Sequence, residues 1–498
     1  MPAVGVSSLG KQAVSGVLWT TGLNVFRDFL QIGVMLILVR LLSPAIYGQF
    51  GLVTAIMGFL SVFSCRTFLQ YTLQIRPGGE VDYQTYFTAG AVVQAVLFLV
   101  TNLAAEVLKQ FGTYAPVAPF VHLMSIQFLL DLGYEFRIKM LERDLDWKRL
   151  RILQGIGVVA NAAVSVAMAA AGAGTYALLV PMLLVLMPPL ADLFLVQRWR
   201  PTWKWVGAAF EPARNYGFTR LMSALVLWSR VLMESTFLVK IVGFTVFGIY
   251  GRALGLAAIC CLKVPTLLSD SLFPVLTKLE PGSGSSSKAS TLVFCSVAWT
   301  TYPAAVLFSV LASPVVHTLY GTKWEGAIPF LPWAMTAATA SALAHIGNTL
   351  LIASLQQKRS LYVDVILLAG TGVTLLVLAP RGLKLYLMGS AMVQAAAFLL
   401  MLVWLYRERT IDLRGVANAL VLPAICVAVT LLALETLRNY LVPFSRESAA
   451  GAVLYAAAFS LIYILLLRLT SRQQCREVVS YLPGRSYLER WLVLGTQA

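Results

Sequence analysis

Fourteen apolar runs, most of them longer than twenty residues, leave this chain few folds to choose from. They fall at 14–39, 46–71, 86–108, 117–139, 150–171, 175–197, 216–239, 248–275, 290–317, 327–354, 361–379, 384–406, 417–437 and 450–468, divided by charged or Pro/Gly-rich punctuation. A hydrocarbon core about 30 Å thick is crossed by a helix of roughly 20 apolar residues. A soluble core cannot absorb so many runs. Hydrophobic residues make up 59% of the chain and charged residues 12%, against about 45–50% and about 25% in soluble domains. Barrel strands would alternate over about ten residues, and this sequence does not. The sequence therefore predicts an all-α polytopic membrane protein with fourteen transmembrane helices. Most runs exceed the minimum length, so some tilt is expected. The first ten residues lack a charged n-region and the first run is too long for a signal peptide, so it is expected to be retained.

The formal net charge is +16, from 38 Lys+Arg against 22 Asp+Glu. With the N-terminus inside, 24 of those cations fall in cytoplasmic segments and 8 on the opposite face. That bias is the positive-inside signature, and it places both termini in the cytoplasm. Most of the basic charge is thus a topology signal, and nucleic-acid binding is a poor reading of it. Six cations fall inside the expected spans: Arg27, Arg66, Arg220, Arg230, Arg252 and Lys263.

The chain also resembles itself at an offset of 200 residues. Leu38-Val39-Arg40 aligns with Leu238-Val239-Lys240, and Tyr47-Gly48-Gln49-Phe50 with Phe247-Gly248-Ile249-Tyr250. Both blocks join the first and second spans of a six-span half. Six is an even number, so the repeat is parallel: an N-terminal lobe at 1–212 and a second six-helix lobe at 213–410. A further helix pair follows at 411–470, then a cytoplasmic tail at 471–498. Repeated lobes with a substrate site between them are the usual architecture of alternating-access transporters.

The same residues carry a family resemblance. Leu38-Val39-Arg40-Leu41-Leu42-Ser43-Pro44-Ala45-Ile46-Tyr47-Gly48 resembles the "LARLLSPxxYG" signature that follows the first helix of bacterial polysaccharide transporters. Phe247-Gly248-Ile249-Tyr250-Gly251-Arg252-Ala253 and Leu272-Phe273-Pro274 extend the match. Leu319-Tyr320-Gly321-Thr322-Lys323-Trp324-Glu325-Gly326-Ala327-Ile328-Pro329 resembles that family's "LxGxxWxxAxP" element. The set covers roughly residues 10–410. It departs from the pattern at Ala45-Ile46, where relatives often carry an acidic pair, and the last two helices match no known element. The resemblance is to the Wzx-type flippase branch of the multidrug/oligosaccharidyl-lipid/polysaccharide (MOP) exporter superfamily. It implies two six-helix lobes around a cationic cavity, a non-enzymatic transporter in the bacterial inner membrane, and an undecaprenyl-diphosphate-linked glycan as cargo. H+ or Na+ as coupling ion and a polysaccharide polymerase or export complex as partner are further implications of the family.

A charge at mid-bilayer costs about 2.5 kcal/mol or more, so such residues face a cavity or a partner. Arg27, Arg230 and Lys263 lie near mid-depth. Arg66 and Arg220 lie toward the cytoplasmic side, and Arg252 toward the outside. Arg27 and Arg230 occupy nearly corresponding places in the two repeats. An arginine offers a planar fork to phosphate oxygens and a lysine a point charge, which suits a diphosphate. The plainer reading is local neutralisation: Arg230 with Glu234 one turn on, and snorkelling of Arg66, Arg220 and Arg252 to the nearer interface. Among acidic groups, Asp131 and Glu135 share a helix face and Asp270 lies near Lys263; His345 adds the side-chain type that can serve proton coupling. These four are candidates for ion coupling or charge balance. Asp131 alternatively neutralises a cavity arginine, Glu135 pairs with Lys139, and His345 serves packing.

The rest of the sequence adds exclusions. The six cysteines lack metal or CxxC spacing, and no Walker A loop occurs, so neither a metal, a disulfide, a cofactor nor ATP is expected. Pro181, Pro188, Pro189, Pro265 and Pro274 should kink their helices. Residues 281–287 read as a flexible connector, and 472–494 as an amphipathic helix or a tail. A multidrug exporter of the same superfamily would want an acidic cavity, and a polymerase or ligase a large catalytic outer loop. Neither is evident, whereas a peptidoglycan lipid-precursor flippase is separated only weakly.

Overall fold

The computed structural model describes the backbone of residues 6–75, 81–263, 265–267, 284–441 and 448–470. Asp270, Pro274, Cys475 and the 472–494 segment lie outside the described residues. Every regular element among the described residues is helical. Among the described residues twelve stretches are long and apolar enough to cross a membrane, against the fourteen expected, which makes this a multi-pass membrane protein. Two features account for the gap. A single 41-residue stretch, Leu221–Cys261, holds two expected spans. The helix over Leu331–Ala353 carries His345, Asn348 and many Ala, Ser and Thr, which lower its hydropathy.

The chain divides into two compact units, Met1–Gly248 and Ile249–Ala498. The first contains α1 (Val6–Leu41), α2 (Pro44–Ser61), α3 (Arg66–Leu69), α4 (Tyr83–Lys109), α5 (Ala118–Arg143), α6 (Trp147–Ala170), α7 (Tyr176–Leu184), α8 (Met187–Ala191) and most of α9 (Gly207–Cys261). Prolines cut the expected sixth span as anticipated. A proline clashes with the carbonyl four residues back. Accordingly α7 ends at Leu184, four residues before Pro188, and α8 starts with Pro188 and Pro189 in its first turn. In the same way α9 ends at Cys261, four residues before Pro265.

The 200-residue repeat has a structural counterpart inside this unit. α1 and α2 are separated at Leu42–Ser43, and α9 is interrupted at Gly243, where φ is +74°. Only glycine holds that conformation without strain. Aligned residues are buried alike: Leu38 with Leu238, Val39 with Val239, Tyr47 with Phe247. Gly48 and Gly248 meet. A Cβ on Gly48 would lie 2.0 Å from the Phe244 carbonyl oxygen, and one on Gly248 1.9 Å from that of Pro44. The two backbones cross where neither repeat carries a side chain.

The second unit continues with α10 (Gly284–Val310), α11 (Ala312–Leu319), α12 (Leu331–Ala353), α13 (Gln357–Val377), α14 (Leu383–Arg407), α15 (Leu413–Leu441) and α16 (Ala449–Thr470). Residues 284–287, expected as part of a flexible connector, form the first turn of α10 instead; the serines there suit a helix start. α12 lies against α10 and α14. In lipid, small residues let helices approach closely. Ala338, Ala342 and Gly347 do so here, with Gly347 so close to Met401 that a Cβ would sit 2.9 Å from its sulfur. α12 is therefore buried in protein, which explains why a span can dispense with high hydropathy. α15 and α16 pack along α10, with Cys426, Tyr455 and Phe459 buried between them. The Tyr463 hydroxyl donates to the Trp299 carbonyl at 3.2 Å and ties α16 to α10.

Candidate functional site

The second expected span, 46–71, breaks short of its end. The N–H groups of Val62, Phe63 and Ser64 donate to carbonyls three residues back, at 3.1–3.2 Å, which tightens the chain out of helix α2. Arg66 therefore opens a new short helix, α3, rather than lying along α2. From there its Nε donates to Asp131 Oδ2 at 3.0 Å and lies 3.0 Å from Glu135 Oε1, and its terminal nitrogen meets Asp131 Oδ1. Asp131 and Glu135 are one turn apart on α5, so one helix face presents both carboxylates to one guanidinium. The Asp131 side chain is 2% exposed, that of Glu135 12%, and that of Arg66 43%. The expected partner of Glu135, Lys139, pairs with Glu142 at 2.7 Å instead. Two acids with one base leave a net negative charge at a buried point, a condition under which a proton or cation can be taken up.

A second network escaped the sequence reading. Arg137 Nε donates to Asp192 Oδ2 at 2.6 Å, and Arg149 NH2 to Asp192 Oδ1 at 2.6 Å. Arg137 is 2% exposed. This carboxylate ties α5 and α6 to the turn that follows α8. Counted as loop cations in the sequence, Arg137 and Arg149 are structural cross-links. The only sequence signal was Asp192 at the basic end of its span; its partners are 55 and 43 residues away. Arg143 likewise donates to the Thr72 carbonyl at 2.9 Å. Just before α4, Asp82 is 3.1 Å from the Lys204 ammonium and accepts from the Thr85 hydroxyl at 2.9 Å. Burial alone would raise the Asp82 pKa, but the hydrogen bonds from Lys204 and Thr85 outweigh it and hold it below the ordinary value.

The remaining candidates are dispersed. Arg27, half-exposed on α1, lies 3.9 Å from Asp28, the outer limit of an ion pair. Its Nε is buried and has no hydrogen-bond partner among the described residues. Arg230 is half-buried on α9 with half-buried Glu234 one turn on. Arg220 belongs to the same helix, and its side chain lies outside the description. Arg252, half-buried, and Lys263, exposed two residues beyond the end of α9, belong to the second unit, as does His345, exposed on α12. Near His345, Asn348 accepts from the Ser360 hydroxyl at 2.6 Å and joins α12 to α13. The structure thus brings together Arg66, Asp131 and Glu135.

This helical fold is shared with solved transporters. A lipid II flippase, MurJ, in an inward closed conformation, superposes over 92% of this chain and 99% of its own, with a TM-score of 0.69 at 10% sequence identity. A multidrug resistance MATE family transporter of the MOP superfamily, in an inward-facing conformation, shares the fold over 77% of this chain and 94% of its own, with a TM-score of 0.58 at 13% identity. Residues 37–329 match the polysaccharide biosynthesis protein family, and the chain belongs to that family. The lipopolysaccharide biosynthesis protein WzxC of Escherichia coli K12 is 21% identical over 68% of this chain and 69% of its own length. The succinoglycan biosynthesis transport protein ExoT of Rhizobium meliloti is 22% identical over 59% and 60%. The chain thus joins membership of the polysaccharide biosynthesis protein family to a fold shared with a flippase.

Proposed function

We propose that the protein flips an undecaprenyl-diphosphate-linked oligosaccharide, a repeat unit of O-antigen, capsule or exopolysaccharide, across the bacterial inner membrane. The observation that carries this reading is Arg27: a cation in an apolar span, its Nε buried and without a hydrogen-bond partner among the described residues, in a chain of the polysaccharide biosynthesis family. The names of the relatives WzxC and ExoT support it, as does the MurJ fold. Arg27 and Arg230, at nearly corresponding places in the two repeats, serve as phosphate ligands, with Arg66, Arg220, Arg252 and Lys263 as further cations along the route. A guanidinium offers paired N–H donors to phosphate oxygens. Six-helix lobes at 1–212 and 213–410 rock in alternating access, and both termini face the cytoplasm. Asp131 and Glu135 carry the coupling ion, H+ or Na+, with His345 and Asp270 as lesser candidates. The chemistry is transport rather than bond-making.

The test is genetic. Deleting the gene should make lipid-linked repeat units accumulate on the cytoplasmic side and abolish the surface polymer, and the wild-type chain should restore it. A deletion strain with normal surface polymer and no accumulated intermediate would contradict the reading. Flanking glycosyltransferase and polymerase genes are the expected neighbourhood.

A further inference from the structure

At the end of α4 and α5 away from the Arg66 cluster, a histidine is held between two oxygens. His122, near the start of α5, lies with Nδ1 2.8 Å from Asn102 Oδ1 and Nε2 3.0 Å from Glu106 Oε1, both on α4. The neighbours fix which atoms give protons. Asn102 Nδ2 donates to the Phe98 carbonyl at 2.8 Å and to Ser125 Oγ at 3.0 Å, and Ser125 in turn donates to the His122 carbonyl at 2.7 Å. A carbonyl can only accept, so the amide nitrogen of Asn102 faces Phe98 and its oxygen faces the ring. Glu106 Oε1 also meets the Lys109 ammonium at 2.6 Å, a partner that suits an ionised, accepting carboxylate. A neutral imidazole has one N–H and can serve one of these oxygens, whereas the imidazolium donates to both. The ring is 28% exposed, so solvent protons reach it. The charged residues of α4 at this end are Glu106 and Lys109, and α2, α7 and the turn at 115–117 carry none. α9, joined nearby by the Tyr114 hydroxyl donating to the Thr236 carbonyl at 3.0 Å, brings Glu234 and Lys240. α3, α6 and the turn after α8 carry their charges toward the opposite end of α5.

We propose that His122 is a proton-binding site, and that its doubly protonated ring clasps α4 to α5. It is separate from Asp131 and Glu135, which begin about 13 Å farther along α5. With the second proton bound, the ring bridges Asn102 and Glu106. Without it, one ring nitrogen turns a lone pair toward an oxygen, and repulsion replaces that hydrogen bond. The clasp is therefore closed at acid pH and weakens as pH rises through the range in which imidazoles titrate, about 5 to 8. With both termini in the cytoplasm, as proposed above, this end faces outside and the clasp responds to outer acidity. His317 provides the contrast: its Nε2 meets Glu325 Oε1 at 3.2 Å, a contact that a neutral ring also serves.

The test is hydrogen exchange read by mass spectrometry on the purified full-length chain, at pH values of about 5.5 and about 8 and corrected for intrinsic exchange. In the wild type, peptides covering 98–109 and 115–125 should lose about tenfold in protection at the higher pH, the scale of one charge-assisted hydrogen bond. In His122→Gln that loss should vanish. Glu106→Gln offers an amide that can donate to a neutral ring, so there too the loss should vanish. Both variants are checked for wild-type helix content and elution. No pH effect in the wild type, or one that survives in His122→Gln, would overturn the proton site. An effect lost in His122→Gln but kept in Glu106→Gln would overturn the two-oxygen clasp. Nitrogen NMR spectra of the histidine-labelled wild type need no variant. They should show, at about pH 6, an imidazolium with both N–H groups hydrogen-bonded; its absence would overturn the site even if a variant failed to fold.

Discussion

At the residue scale, the intramembrane cations divide by what satisfies them. Arg66 is held by two carboxylates, whereas among the described residues Arg27 has a marginal contact with Asp28 and an Nε without a hydrogen-bond partner. Arg27→Ala should therefore abolish glycan export while the protein still accumulates in the membrane, read by surface-polymer staining beside immunoblotting. Normal export from a well-expressed variant would remove Arg27 from the account. Asp192 behaves oppositely. Breaking a buried pair strands a charge and costs about 3–5 kcal/mol, so Asp192→Asn should lower thermal stability in detergent and reduce accumulation. A milder pH effect belongs to Asp82. Its depressed pKa means that its pair with Lys204 stabilises the fold above the unfolded-state value of about 4 and is lost as pH falls below it. The pair is largely exposed, so the effect is small; Lys204→Met should flatten that part of the stability-versus-pH curve. These partnerships were hard to read from sequence because each joins residues far apart in the chain. What composition revealed was that charges inside apolar runs need partners, and Arg66 with Asp131 shows where one of them found its own.

At the scale of elements, the repeat was the most legible feature. Ser43 and Gly243 mark the helix breaks 200 residues apart, and Gly48 and Gly248 touch at the crossing that follows. The aligned motif identified these positions, but not that the two glycines pack on each other, since periodicity says nothing of which backbones cross. Gly48→Ala would place a Cβ 2.0 Å from a backbone carbonyl, so one helix must shift. Overpacking of this kind costs about 1–3 kcal/mol, and export should fall with it. Gly251→Ala, with nothing within 4 Å of its Cβ, should leave both stability and export unchanged and serves as the control. Equal behaviour of the two variants in a thermal-shift measurement would show that the crossing is not a close constraint. The helix α12 was legible as a span from its uncharged length, not from high hydropathy. Its small residues bury it against α10 and α14, and burial in protein replaces the apolarity that lipid would demand.

At the scale of the whole molecule, several cations counted toward the expected orientation also hold the first unit together. Arg137, Arg143 and Arg149 count toward topology, yet each binds a specific acceptor in the first unit. Topology signals and structural cross-links therefore overlap at the basic ends of the helices, and loop counting alone cannot separate them. The chain belongs to the polysaccharide biosynthesis protein family and shares its fold with a flippase; in the proposed function the cations inside the spans meet an anionic lipid cargo. The central claim is translocation of that cargo, and reconstitution tests it most directly. Purified protein in liposomes carrying a fluorescent undecaprenyl-diphosphate oligosaccharide should move the label to the opposite leaflet, where an impermeant quencher reaches it. The wild-type chain should do so well above protein-free liposomes, and the Arg27→Ala chain should not. Quenching no greater than in protein-free liposomes, or equal with wild type and Arg27→Ala, would contradict the account.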